Sequence, residues 1–255
     1  MSFVDTHVHL HFPNYDSDRE GVIERSRKAG VEIFINVGTD VKSSEASIKL
    51  AHQHPFIYSA AGIHPHDAKD AHENDFKAME QFVHESKVVA IGEVGLDFFR
   101  NLSPAGTQKK VLNWFFELYR KTKKPLILHI RDAHKEIKEQ IQSELGTSVQ
   151  GVLHCFSSDK ETMKEFLDFG FYISFAGPLT YKKNDALREA FKECPPERVL
   201  LETDAPFLPP QSKRGQRNES NYMLETAELG AQIKKMSLEE LGNRTTENAK
   251  RLFNL

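Results

Sequence analysis

The sequence predicts an α/β protein, a (β/α)8 TIM barrel, on three observations. Eight short runs rich in apolar and β-branched residues alternate with segments of helical period, the pattern of repeated βα units on a parallel sheet. Several runs are apolar almost throughout, such as Val88-Val89-Ala90-Ile91 and Leu126-Ile127-Leu128, as strands buried on both faces are. The 255 residues suit one such barrel, so residues 1–255 are expected to form a single domain. The rival is a doubly wound open sheet. No Gly-x-Gly-x-x-Gly run follows the first strand, which weighs against its dinucleotide-binding form.

The expected strands are 3–9, 32–38, 56–64, 88–96, 125–130, 150–156, 171–176 and 199–204. Start and stop signals mark the helices between them. Asp16 or Ser17 is the expected cap of a helix running to Ala29, with Gly30 just past its end. Ser103 before Pro104 reads as a cap residue followed by a first-turn proline. The segment after it aligns Val111, Leu112, Phe115, Leu118 and Tyr119 on one apolar stripe. Residues 159–169 carry Met163, Phe166 and Leu167 and stop at Gly170. After the last strand, helices are expected near 221–235, 237–241 and 246–253. These stripes are core packing.

A net charge of -3 provides no global positive field, so sequence-independent coating of nucleic acid is not expected. Two cysteines, Cys155 and Cys194, do not make a disulfide framework and suit a reducing compartment. The N-terminus opens directly into a strand, with no basic segment leading into an apolar run, and no membrane span is visible. The expected setting is the cytoplasm, with no membrane association; no stable protein partner is legible.

The chemistry gathers where a barrel keeps its active site, at the C-terminal strand ends. Strand one ends in His7 and His9, two apart and therefore on one face, with Asp5 a step further back. Strand three ends in His64, strand four carries Glu93, strand five ends in His129, strand six holds His154 and strand eight ends in Asp204. Taken singly, a strand-end histidine is more often a solvated side chain. Six ligand candidates on five of these strands, His64 aside, point to divalent metal instead, since neutral imidazole is its commonest ligand. Glu93 sits among apolar residues and glycines, where a carboxylate is costly unless paired or coordinated. Six candidate ligands, His7, His9, Glu93, His129, His154 and Asp204, exceed what one four-coordinate ion needs. They suit two ions sharing a carboxylate, an arrangement that recurs in nucleases, phosphatases and peptidases.

The chain resembles the TatD family of metal-dependent deoxyribonucleases, within the wider amidohydrolase-like barrels. The matching runs are Asp5-Thr6-His7-Val8-His9-Leu10, Gly62-Ile63-His64-Pro65-His66, Gly92-Glu93-Val94-Gly95-Leu96-Asp97, His129-Ile130-Arg131, His154-Cys155-Phe156, Glu202-Thr203-Asp204-Ala205-Pro206 and Arg214-Gly215-Gln216-Arg217-Asn218-Glu219. They span nearly the whole chain in order. The resemblance implies a metal-dependent hydrolase that cuts DNA phosphodiester bonds with an activated water, as a 3′ exonuclease in some relatives. An amidohydrolase or small phosphoesterase using the same site is the alternative. It implies that His7, His9 and Asp204 hold one ion, His129 and His154 the other, and that Glu93 bridges. Asp204 is then also the general base. Many relatives bridge with a carboxylated lysine; strand four contains none, so Glu93 fits the nuclease branch. The ions can be zinc, manganese, nickel or magnesium. The family often has proline after the late Asn-Glu pair, where this chain has Ser220, so the loop shape there is open.

A DNA substrate, as single strands or ends, needs positive groups beyond the metals. Arg131 lies two past His129 and reaches the same rim. Arg100, Lys182 and Lys183 fall in rim loops, and Lys213, Arg214 and Arg217 cluster after strand eight, where barrels often bind phosphate. Each alone reads as solvated surface; the last three are the best group. With His64 they complete the expected substrate side. Phe98 and Phe99 either stack bases or cap the core beneath their loop.

Overall fold

The computed structural model describes residues 2–255. Eight parallel strands pair in sequence order: β1 (Phe3–Val8), β2 (Val31–Val37), β3 (Ile57–Ala61), β4 (Val88–Asp97), β5 (Leu126–Arg131), β6 (Gly151–Leu153), β7 (Tyr172–Phe175) and β8 (Val199–Leu201). The ring closes between the last strand and the first. Val8 bridges Ala205 in parallel, the Asp204 N–H donates to the His7 carbonyl at 2.9 Å, and the His9 N–H donates to the Ala205 carbonyl at 2.8 Å. The seam of the barrel therefore runs through the residues that the strand-end pattern singles out.

Between the strands lie α1 (Arg19–Lys28), α2 (Val41–Gln53), α3 (Glu73–Phe82), α4 (Ala105–Thr122), α5 (His134–Glu144), α6 (Lys160–Asp168) and α7 (Asp185–Glu193), with α8 (Met223–Lys234) and α9 (Leu238–Phe253) after the last strand. Among the described residues, no helix is long and apolar enough to cross a membrane.

Alternation along the strands sorts the core into two shells. An inner cluster draws Val4, Ile35, Ala60, Ala90, Ile127, Val152, Tyr172 and Leu200, one from each strand in turn. Ala249, Leu252 and Phe253 of α9 pack onto it and close the N-terminal mouth. Asn248 donates to the carbonyls of Pro196 and Val199, and Thr246 donates to the Ser2 carbonyl, which ties α9 to the starts of β8 and β1. The outer cluster fills the space between sheet and helices, with Phe34, Phe115, Phe166, Phe175 and Phe191 fully buried.

Element types follow the sequence reading, and the differences are physical. Residues 237–241 and 246–253 belong to one helix. Gly242 lies inside it, with the Phe3 ring 3.0 Å from where a Cβ would stand. Ser237 caps that helix by accepting from the Glu240 N–H. Ser103 is not the cap of α4. Its hydroxyl donates to the His66 carbonyl and accepts from the Lys69 N–H, and the helix starts at Ala105. Strands 56–64, 150–156 and 199–204 are shorter than the apolar runs suggest, ending at Ala61, Leu153 and Leu201. Their polar ends leave the ladder, with Cys155 at φ 45° and Asp204 at φ 56°.

Gly95 has φ +151°, and a Cβ there would lie 1.9 Å from the His129 carbonyl oxygen across the β4–β5 pair. Gly95→Ala is expected to destabilise the protein by about 3 kcal/mol or more, through left-handed strain plus a backbone clash. A thermal melt checks this; a Tm within a degree or two of the parent would contradict it.

Candidate metal centre

Glu93 is the hub of the site. It is 4% exposed, and five imidazoles from β1, β5 and the segments after β1, β3 and β6 surround its carboxylate. His154 Nε2 lies 2.8 Å from Oε1, His129 Nδ1 3.0 Å and His64 Nε2 3.4 Å. On the other oxygen, Oε2, His7 Nε2 lies at 3.4 Å and His9 Nε2 at 4.0 Å. Asp204 joins from the seam, its Oδ1 3.5 Å from His9 Nε2 and 3.7 Å from His7 Nε2. Burial works against ionising Glu93, but His154, His64 and His7 outweigh it and hold the carboxyl well below its usual range. Burial likewise opposes the charged form of His154, and Glu93 and Glu202 raise it well above the usual imidazole value regardless. These groups demand a cationic partner, and a proton or a divalent ion can fill that need.

Hydrogen bonds around the cluster select which ring nitrogen faces inward. His9 Nδ1 donates to the Val37 carbonyl at 2.7 Å, so neutral His9 keeps a lone pair on Nε2. His129 Nε2 donates to Asp97 Oδ2 at 3.1 Å, which leaves the Nδ1 lone pair toward Glu93. His64 differs. Its Nδ1 accepts the His66 N–H at 3.1 Å, so neutral His64 carries its proton on Nε2 and donates toward Glu93. His64 is thus a hydrogen-bond donor into the site, although it lies close enough to Glu93 and His129 to form a ligand group by distance alone.

The donor set fits divalent metal. His7, His9 and Asp204 present ligand atoms all within 4.8 Å of one another. His7 Nε2 and His9 Nε2 face each other at 3.2 Å, as do His129 Nδ1 and His154 Nε2. Two nitrogen pairs held this close, each with a carboxylate beside it, share the soft-to-hard N/O character that zinc, manganese and nickel accept. The buried Nδ1 atoms of His7 and His154 have no hydrogen-bond partner.

A layer of carboxylates fixes the groups beneath. Asp5 is not in the cluster. Its oxygens accept from the Thr203 N–H at 3.0 Å and the Thr203 hydroxyl at 2.6 Å, which anchors the turn that carries Asp204. Burial pushes the Asp5 carboxyl up to about 7 against the pull of those donors. Glu202 accepts from the Cys155 N–H at 2.5 Å and lies 3.4 Å from His154 Nδ1. Asp97 accepts from His66 Nε2 at 2.7 Å as well as from His129. Glu202, Asp97 and His66 were given no role by the strand-end rule. The signal that finds them is adjacency to a ligand run. Ser220 is buried at the start of a short 3-10 turn.

The cluster opens into a cleft of about 940 Å3 lined by His9, His64, Glu93, Arg100, Arg131, Asp204 and others. Of the predicted substrate residues, His64 and Arg131 reach this cleft; Lys213, Arg214 and Arg217 do not line it. Arg214 stacks over Tyr181, a lining residue, at 4.6 Å, and Lys213 lies over Tyr222. Arg217 departs furthest from the expectation of a phosphate contact. Its guanidinium binds both Asp18 oxygens at 2.8 Å, Glu219 at 2.9 Å and the Asn14 carbonyl at 2.7 Å, and packs on Tyr15. These bonds tie the late loop to the start of α1 and engage four of the five guanidinium N–H donors, leaving only the Nε–H for a ligand.

A closed barrel whose strand ends converge ionisable nitrogen and carboxylate ligands defines a metal-dependent hydrolase. The TatD related DNase family profile matches residues 4–254, and the chain belongs to that family. Across 251 residues it is 41% identical to YabD of Bacillus subtilis, named an uncharacterized metal-dependent hydrolase, covering 98% of each chain. It is 34% identical to a Pantoea ananatis protein named 3′-5′ ssDNA/RNA exonuclease TatD, covering 98% of this chain and 99% of that one. The crystal structure of YjjV, a TatD homologue from Escherichia coli, superposes with a TM-score of 0.94 at 28% identity, covering 99% and 98%. An organophosphorus hydrolase from Deinococcus radiodurans shares the fold, at a TM-score of 0.64 and 13% identity over 98% of this chain and 92% of that one.

The Arg217 network supports a stability test. Arg217 holds the Asp18 carboxyl down at about 2 from its ordinary 3.8. Arg217→Ala should cost about 1 kcal/mol in urea unfolding at pH 7, the scale of a partly exposed ion pair. A depressed carboxylate stabilises the fold above its unfolded pKa and loses that effect as pH falls through the folded value. The difference between parent and variant should therefore hold down to about pH 4 and vanish toward pH 2. Equal stabilities at pH 7 would contradict it.

Proposed function

We propose that this protein hydrolyses phosphodiester bonds of DNA with two divalent ions held at the barrel mouth. His7, His9 and Asp204 would hold one ion, His129 and His154 the other, with Glu93 between them. The observation that carries the reading is Glu93, buried within 4.0 Å of five imidazole nitrogens and beside a cleft wide enough for a nucleotide. The name of the Pantoea ananatis relative supports a nucleic acid as substrate and digestion from a 3′ end. Likeness to barrels of other hydrolase types is likeness of fold alone.

Bound divalent cations supply water activation near neutral pH and neutralise charge on the phosphoryl oxygens. The chain's own groups do the rest. Asp204 is held ionised, its burial outweighed by His9, His7 and His154. Its carboxylate therefore has a free lone pair to take the proton of the attacking water, which makes it the general base. His64, with its proton on Nε2, donates to an oxygen in the site. Arg131, at the cleft rim, pairs with a backbone phosphate of the strand. The free thiols Cys155 and Cys194 suit the reducing cytoplasm.

Digestion of defined oligonucleotides tests the reading. Chelation should abolish activity, and manganese, magnesium, zinc and nickel added singly identify the metal that restores it. Asp204→Asn and Glu93→Gln should each lower turnover by about 10^3-fold while the melting curve keeps its cooperative shape. Turnover of the Asp204→Asn variant near the parent's would remove Asp204 as base. Faster hydrolysis of cyclic amides or phosphomonoesters than of any oligonucleotide would overturn the phosphodiester assignment.

A further inference from the structure

Among the described residues three large apolar side chains are exposed: Phe99 at 60%, Leu102 at 49% and Phe207 at 50%. Leaving a phenyl ring in water forgoes the free energy its burial would give, and the two rings among these three side chains, Phe99 and Phe207, both line the cleft. Phe99 follows β4 and Phe207 follows β8, four places apart in a ring of eight strands and so on opposite sides of the mouth. Each makes a defined contact despite its exposure. The Arg131 guanidinium lies 4.4 Å over the Phe99 ring. Phe207 meets Phe12 edge to face at 6.2 Å and His9 at 6.1 Å, and Phe12 itself stacks on His9 at 4.6 Å. An oriented, half-open aromatic ring beside a guanidinium matches a nucleobase joined to a phosphate, by π-face and by charge.

We propose that Phe99 and Phe207 are stacking platforms that hold unpaired nucleobases on either side of the bond to be cut, and that they set a preference for single strands. The inference rests on the nucleic-acid reading above. A base in a duplex is already stacked on both faces and paired at its edge, so it cannot lie on either ring without leaving the helix. An unpaired base can. Because every base has a π-face, the platforms select strandedness and not sequence. Arg131 serves twice, packing on the ring and facing the phosphate of the stacked nucleotide. Of the two readings left open for the residues after β4, Phe99 takes the stacking one. Phe98, packed against the hydrophobic core, takes the capping one.

The test uses the whole metal-loaded protein and a short oligodeoxynucleotide with digestion-resistant phosphorothioate linkages, carrying 2-aminopurine, a base whose fluorescence is quenched by stacking. Binding to the parent should quench the probe. Phe99→Ala and Phe207→Ala should each lose quenching and weaken affinity about tenfold. In active protein the KM for single-stranded DNA should rise accordingly, and the preference for single-stranded over duplex DNA should shrink. Trp at either position should restore quenching and affinity, and Leu should not. Full function with Leu would show that the rings supply only apolar bulk and would overturn the inference. Equal losses on the oligonucleotide and on bis(p-nitrophenyl) phosphate, which has no base, would overturn it too, as a structural effect. Unchanged affinity in both Ala variants, with a parent that binds, would sink this inference and leave the function standing. A parent that binds no oligonucleotide would sink both.

Discussion

A single buried negative charge organises this molecule. Taking a carboxylate out of water costs several kcal/mol unless its surroundings return the lost hydration, and Glu93 is almost wholly buried. Its compensation comes from imidazoles on four separate β segments. No local piece of chain can supply it, and only the closed barrel brings them together. Closure itself is completed at the same place, by the backbone bonds of His7, His9, Asp204 and Ala205. The barrel seam and the site are thus one structure, and a fault in either disturbs the other.

Around that centre the carboxylates divide by environment. Asp97 is kept well below the usual range by His129, the Arg100 N–H and His66 although burial opposes it, so it acts as a fixed acceptor that turns the His129 lone pair inward. Asp5 is displaced in the other direction by burial and holds the Thr203 turn. Three imidazoles with chemically similar surroundings thereby acquire different duties. His9 and His129 offer lone pairs to the centre. His64 offers a proton, because one backbone N–H occupies its other nitrogen. Ring-nitrogen assignment, more than residue type, separates a ligand from a donor here.

The fold was legible because the period of the apolar runs reports burial on both faces of a strand, and eight such runs leave few closed arrangements. The strand-end residues His7, His9, His64, Glu93, His129, His154 and Asp204 were legible because barrel geometry sends all those ends to one rim. Pairings across the chain were not. Arg217 looks like a free phosphate contact beside Lys213 and Arg214, and nothing local shows that Asp18, some two hundred residues earlier, takes its guanidinium. Ser103 looks like a cap until the His66 carbonyl is placed beside it. Each miss has the same cause: a local signal overruled by a partner distant in sequence.

The central claim is that the Glu93 cluster is a two-ion centre. Anomalous scattering from crystals grown with manganese, recorded on both sides of the manganese absorption edge, tests it most directly. The account predicts two peaks per chain, one within ligand distance of His7, His9 and Asp204, the other of His129 and His154, with Glu93 touching both. One peak under saturating metal, with His129 and His154 free, would contradict it.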